Sequence, residues 1–102
     1  MHAVLITFQS TAEPDALAGP FTDFAHALGA VPGLLTKTWL QDDSTLGGFH
    51  LFTGREAAEA YLDGALIAEL TANPAFREFR IQHYSVLEEL SEITGTPQPV
   101  AA

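Results

Sequence analysis

The chain has 102 residues, of which 47% are apolar and only 17% charged, and it carries a net charge of −9 without any cysteine. Phosphate backbones and anionic membrane surfaces repel such a chain, so neither nucleic acid nor a membrane is an expected partner. The lack of cysteine excludes thiolate nucleophiles and cysteine-based metal sites, and it fits the reducing cytoplasm where we expect the protein.

Chain length and the composition of the C-terminus indicate one domain. A chain this short is expected to fold as a single unit, and we assign residues 1–95 to it. Residues 96–102, TPQPVAA, offer too little apolar surface to bury, so we predict a disordered tail there.

The first elements are a strand and a helix. Residues 2–9, HAVLITFQ, alternate with apolar side chains on both faces, which is typical of a central strand covered on two sides. A turn follows near Pro14. We predict that the main helix begins at Pro20, since proline suits the first helical position, and ends at Gly29.

A β-hairpin is predicted next. The segments LLTKTWLQ and GFHLFT alternate like strands, and DDSTLGG lies between them as a turn. If the hairpin closes symmetrically about this turn, Trp39 lies opposite His50 and Lys37 lies opposite Phe52. A slip of one residue would move His50 to the other face, because side chains alternate along a strand.

The second half of the chain contains a helix and a last strand. REAAEAYLDGALIAEL predicts a second helix, loosened at Gly64 and ended by Asn73 and Pro74. EFRIQHYSVLEEL alternates and predicts the last strand. The acidic run EELSE at 88–92, which overlaps the end of this segment, is interpreted as solvated surface.

The order of elements, βαββαβ, predicts an α+β, ferredoxin-like fold. Its four-stranded antiparallel sheet would carry two helices on one face. The strands are nevertheless apolar on both sides, so the second face needs a cover. A second copy of the chain would provide it, and we therefore expect a homodimer.

Three motifs resemble the YdhR-like family of monooxygenases, within the dimeric α/β-barrel superfamily that includes the antibiotic biosynthesis monooxygenases. They are PG-x-L-x-K-x-W at 32–39, GG-x-x-LF at 47–52 and A-x-AYL at 58–62. The chain departs from the family pattern at Thr36, where a second tryptophan is expected, and at His50, where tyrosine is usual. A different substrate is the expected consequence.

The resemblance implies a dimeric α/β barrel and a small oxygenase, related to enzymes that act on quinols, anthrones and other electron-rich aromatics. Such enzymes use dioxygen without metal, flavin or haem. The expected ligand is therefore a small aromatic or enolic compound, and no cofactor is expected.

Two histidines are the candidate catalytic bases. A neutral imidazole with a pKa near its usual value of about 6.5 can accept a proton from a phenol or enol at neutral pH. His50 and His83 both lie on predicted strands. The structural alternative for each is an ordinary hydrogen bond at an interface. Tyr84 is a further hydrogen-bond donor, but alternation places it on the face opposite His83.

Aromatic and cationic residues complete the candidate substrate site. Trp39 and Tyr61 are expected to form walls on which a ring stacks, although both are also typical core residues. Lys37 or Arg80 would stabilise a developing anion, the alternative for Lys37 being an ammonium group that extends to water.

Other activities find less support in the residues. No two histidines have metal-ligand spacing on one helix, so no metal site is predicted. Haem degradation in this superfamily depends on a pocket asparagine, and Asn73 ends a predicted helix. A cyclase or isomerase using the same base remains an alternative, as does a binding or stress-response dimer without catalysis.

Overall fold

The computed structural model of the protein describes residues 1–95, so the predicted disordered tail lies outside the described part. Its elements follow in chain order as β1 (His2–Ser10), α1 (Pro14–Leu28), β2 (Leu34–Asp42), β3 (Thr45–Phe52), α2 (Arg55–Leu62), α3 (Ala65–Ala72), β4 (Phe76–Ser85) and α4 (Glu88–Thr94). Within this part of the chain no helix has the length and apolar character needed to cross a membrane.

The four strands form one antiparallel sheet in the order β2-β3-β1-β4, which confirms the predicted α+β, ferredoxin-like fold. The first strand is central, as its two apolar faces predict. Val4 and Ile6 are directed to the helical layer, where the buried core continues with Leu28, Phe52, Ala58, Tyr61 and Ile67. The alternation of side chains along a strand sends the other half of its residues to the opposite, open face.

The helical layer differs from the prediction in two places. The first helix begins at Pro14 rather than Pro20, which lies inside it. An internal proline costs a helix about 3 kcal/mol, and the contacts of Phe21 and Phe24 on the same helix with the ring of Trp39, worth about 0.5–1.5 kcal/mol each, offset part of that cost. The second predicted helix is two helices separated around Gly64, a poor helix former.

The hairpin has a register two residues away from the predicted one. Lys37 pairs with His50 and Trp39 pairs with Gly48. The reason is a shorter turn, since Asp42 already pairs with Thr45 and only two residues lie between them. A shift of two residues keeps every side chain on its face, so the predicted common face of the tryptophan and the histidine is preserved.

The last predicted strand is also wrong in its second half. β4 ends at Ser85, and the acidic segment after it forms α4 instead of continuing the strand. Glu88 and Glu89 occupy the first turn of that helix, where carboxylates interact favourably with the helix dipole. The helix lies beside Phe49 and Leu51, on the face of the sheet that the other helices leave open.

Candidate functional site

A cavity of about 300 Å³ lies between α1 and the sheet. Its walls are mainly apolar and aromatic, and no acidic side chain lines it within the described residues. The lining residues are Ile6, Phe8, Phe21, Phe24, Lys37, Trp39, Leu40, Gln41, Leu46, Gly47, Gly48, His50, Tyr61 and Leu70. A volume of this size suits a small organic ligand.

His50 lies at the base of this cavity on β3, with only 1% of its surface exposed. Its Nδ1 is 3.1 Å from the backbone oxygen of Val4. A carbonyl oxygen only accepts hydrogen bonds, so Nδ1 carries the proton and Nε2 has a free lone pair. That Nε2 is buried and has no hydrogen-bond partner among residues 1–95.

Tyr61 provides a second buried polar atom in the same cavity. It is located on α2, its ring centroid is 5.5 Å from that of His50, and its hydroxyl also lacks a partner within the described chain. Burial raises the pKa of Tyr61 above its usual value, so the hydroxyl stays protonated and able to donate. Two unsatisfied polar atoms in one apolar cavity are unusual in a protein interior.

Lys37 and Trp39 lie side by side on β2. The Lys37 Nζ atom is 3.6 Å from the Trp39 ring centroid and 5.0 Å from the centroid of Phe24, so the two rings partly replace its hydration. Burial lowers the pKa of Lys37 to about 8. The side chain is therefore still mainly cationic at neutral pH, and Trp39, 40% exposed, forms the outer wall beneath it.

The electrostatics of His50 differ from those expected of a free histidine. Burial, with a further contribution from the positive charge of Lys37, lowers the pKa of His50 to about 4. A phenol of ordinary pKa near 10 would transfer its proton to such an imidazole at a cost of about 8 kcal/mol, at about 1.4 kcal/mol per pKa unit. His50 is therefore a good hydrogen-bond acceptor for a hydroxyl but a weak store for its proton.

Two phenylalanines of α1, which helical spacing places on one stripe, belong to the cavity. The rings of Phe21 and Phe24 lie 5.3 Å and 6.2 Å from that of Trp39. Their helical spacing predicts a face turned to the sheet, but it does not reveal that a cavity separates that face from β2 and β3.

Gly48, at the predicted boundary between the turn and the second hairpin strand, lies inside the site. A Cβ atom built on it would be 2.5 Å from Cε of Lys37 and 3.0 Å from Cε1 of His50. The absence of a side chain at this position therefore allows the lysine and the histidine to approach each other. On neighbouring Gly47, a Cβ would instead collide with the backbone oxygen of Ile6.

The two glycines yield a paired prediction. Gly48→Ala should leave the melting temperature within a few degrees, because the lysine side chain can move, yet it should shift the fluorescence of Trp39 as Lys37 leaves the ring. Gly47→Ala, the control, should destabilise the protein by about 1–3 kcal/mol because backbone must move. Thermal unfolding and emission spectra test both, and an unchanged emission spectrum in Gly48→Ala would contradict the assignment.

The remaining predicted residues lie elsewhere. His83 is on β4 outside the cavity, with Nδ1 2.8 Å from Nε2 of His2. Arg80 lines a different, polar groove, and Tyr84 is 49% exposed at the edge of the groove beside α4. The side-chain oxygen of Asn73 accepts a hydrogen bond from the backbone N–H of Ala75 at the end of α3. Of the five predicted site residues, the cavity contains all except His83.

Fold and cavity together define a small ferredoxin-like domain with a ligand-sized site, and solved structures share that fold. The NE2512 protein of unknown function from Nitrosomonas europaea is 23% identical, with a TM-score of 0.68 over 98% of this chain and 95% of that chain. SnoaB from Streptomyces nogalater, a cofactor-independent oxygenase, is 16% identical, with a TM-score of 0.68 over 84% of this chain and 92% of that chain.

The haem degrader MhuD from Mycobacterium tuberculosis has the same fold. It is 20% identical, with a TM-score of 0.66 over 85% of this chain and 96% of its own. At these identities the similarity shows the fold alone. No curated protein sequence matches the chain significantly.

A family model matches residues 4–97, nearly the whole chain, and its description is "Putative mono-oxygenase ydhR". The chain belongs to this family, as the three sequence motifs indicate.

Proposed function

We propose that the cavity binds a small electron-rich phenol or enol and that the protein is a monooxygenase acting without metal, flavin or haem. The observation that supports it most is a pair of buried, unpartnered polar atoms, His50 Nε2 and Tyr61 OH, on two side chains that line an aromatic cavity. Leaving such an atom unsatisfied costs about 1–3 kcal/mol, which a ligand hydroxyl meeting both atoms recovers. The description of SnoaB as a cofactor-independent oxygenase favours the same chemistry here.

Each polar group has a distinct role in binding. The substrate hydroxyl donates to Nε2 of His50 and accepts a hydrogen bond from the hydroxyl of Tyr61. Its ring lies among Trp39, Phe21 and Phe24, the aromatic walls of the cavity. This arrangement orients the hydroxyl and excludes water from the reacting face.

The reaction then depends on the substrate itself as the reductant. The substrate anion, stabilised by the Lys37 ammonium group, transfers one electron to dioxygen. The resulting pair combines at the electron-rich carbon to form a peroxide. For a substrate with a CH₂ group, loss of water from the peroxide leaves a carbonyl, so one oxygen atom enters the product and the other leaves as water. The proton that the substrate releases to solvent on forming its anion returns to the peroxide, so both hydrogens of the CH₂ group leave in that water and no external reductant is needed.

Oxygen consumption with a panel of anthrones, quinols and acidic enols tests this function. We expect uptake of one dioxygen per substrate, followed with an oxygen electrode, and a product heavier by one oxygen and lighter by two hydrogens for each anthrone. Conversion of a substrate without oxygen uptake would instead indicate a cyclase or isomerase, and tight binding without any conversion would indicate a binding protein. Either result would overturn the proposed oxygenase activity.

We further propose that the protein is a homodimer in which a second copy packs against α4 and the part of the sheet face beside it. Apolar side chains remain exposed on and after β4, with Leu87 at 69%, Leu90 at 63% and Ile93 at 81%. Such a contiguous apolar patch is costly in a monomer and is typical of an interface. Leu87 shares a groove with Tyr84 of β4, which joins this end of the patch to the sheet.

The dimer makes a direct prediction for sedimentation. The wild-type protein is expected to sediment as a dimer at micromolar concentration. The double variant Leu90→Glu, Ile93→Glu is expected to sediment as a monomer, because burying unpaired carboxylates in the interface is strongly unfavourable. Leu35→Glu is the control, since Leu35 is also an exposed leucine but lies on the edge strand β2. A monomeric wild type, or a dimer that survives the double substitution, would refute this interface.

A further inference from the structure

Lys37 is a partly buried cation without an anionic partner in its surroundings. The chain has thirteen acidic residues, yet none of those described lines the cavity, and neither ion pair found in the described residues includes Lys37. Its ammonium group rests instead on the rings of Trp39 and Phe24. The cavity is therefore a local positive site in a strongly negative protein.

No other group of the cavity supplies the missing negative charge. The titratable neighbours are His50 from β3 and Tyr61 from α2, while α1 contributes only Phe21 and Phe24. A histidine is never anionic, and burial raises the pKa of Tyr61, which keeps its hydroxyl neutral. The cavity therefore leaves the counter-charge of Lys37 for a ligand to supply.

The same cavity provides little capacity to create an anion from a neutral ligand. Burial lowers the pKa of His50 to about 4, so its imidazole holds a substrate proton poorly. Lys37 is mainly protonated at neutral pH, since burial lowers its pKa only to about 8. A ligand that arrives already ionised avoids this difficulty and pairs with the lysine at once.

We infer that the substrate is an acidic enol or phenol that binds as its monoanion, with the charged oxygen on Nζ of Lys37, while a second, un-ionised hydroxyl of the same molecule contacts His50 and Tyr61. This inference rests on the proposed function for its chemistry and narrows the substrate class. Ordinary neutral phenols are excluded from it, whereas hydroxyquinones and the enols of 1,3-dicarbonyl compounds are included.

A matched pair of ligands tests the charge requirement by binding alone. Lawsone is a bicyclic hydroxynaphthoquinone that is ionised at neutral pH, and its O-methyl ether cannot ionise. Titration calorimetry and quenching of Trp39, the one tryptophan of the chain, measure both affinities. We expect lawsone to bind roughly 10- to 100-fold more tightly than the ether, as a charge-assisted hydrogen bond implies. Equal affinities would overturn the inference.

Three variants then locate the charge. Lys37→Met keeps the length of the side chain and should remove the preference for lawsone, while Lys37→Arg should keep most of it. Arg80→Met removes one charge outside the cavity and should leave the preference unchanged, which controls for net charge. Retention of the full preference in Lys37→Met would refute the role of the lysine. If circular dichroism shows that Lys37→Met does not fold, the comparison of lawsone with its ether and the pH profile of the wild-type protein still test the inference.

The pH profile provides an independent measurement. Because burial lowers the pKa of Lys37 to about 8, lawsone affinity in the wild type should be flat below that pH and fall by about tenfold per pH unit above it. In Lys37→Arg the lawsone affinity should not change over this pH range, since arginine remains protonated. If the affinity of the wild-type protein also stays constant up to pH 9.5, the inference is contradicted. The binding assay does not require turnover, so the two proposals can fail separately. If lawsone binds tightly but no acidic enol causes oxygen uptake, the oxygenase function is wrong and the anion-binding site is still supported.

Discussion

Replacing His50 by phenylalanine is expected to reduce the rate of oxygen consumption about a hundredfold, the scale on which misplacing a reacting group lowers a rate. Phenylalanine preserves the aromatic volume but removes Nε2, the buried acceptor that lines the cavity. Because the hydroxyl then loses its orienting contact, both substrate affinity and turnover should fall. An oxygen electrode with the best anthrone of the panel measures the effect.

The control for this prediction is His83→Phe. His83 was the second candidate base, and the structure pairs it with His2 at the edge of the sheet, away from the cavity. Its replacement should leave oxygen consumption within about twofold. If His83→Phe lost activity while His50→Phe kept it, the catalytic cavity would be assigned to the wrong part of the molecule.

The same His50→Phe substitution should make the protein more resistant to acid. The folded-state pKa of His50 is about 4 because of burial, against 6.5 in the unfolded chain, so the unfolded state binds more protons between these values. The stability that neutral His50 contributes is therefore fully present above pH 6.5 and is lost as the pH falls to about 4. The loss attributable to this one side chain is about 3 kcal/mol, at about 1.4 kcal/mol per pKa unit.

Urea unfolding followed by circular dichroism at a series of pH values isolates this contribution. The wild-type free energy of unfolding minus that of His50→Phe should decrease by about 3 kcal/mol from pH 6.5 to pH 4. A lost hydrogen bond to Val4 would only offset the two curves by a constant. The pKa of His2 is also lowered, mainly by burial. Its contribution to the pH dependence of unfolding is the same in both proteins and therefore cancels in the difference. Parallel curves would show that His50 is not held neutral by burial.

Local patterns along the chain were sufficient for the class of fold. Alternation identified the central strand and the hairpin, and helical spacing placed Phe21 and Phe24 on one face. These patterns depend on near neighbours and on a burial preference that is independent of the exact partner. The predictions were wrong at the boundaries of helices and strands, at Pro20, at Gly64 and after Ser85. At such boundaries the conformational preference of a residue competes with packing against distant parts of the chain, which the local sequence does not specify.

The amino-acid sequence alone thus determined the βαββαβ order, the family and the residue types suited to phenol or enol chemistry. Whether those residues meet was decided by tertiary contacts: the two-residue turn set the pairing of Lys37 with His50, and Gly48 made room for both. The same contacts excluded His83 from the cavity and lowered the pKa of His50. Burial, and hence the charge state of a side chain, depends on residues far away in sequence, which no local pattern contains.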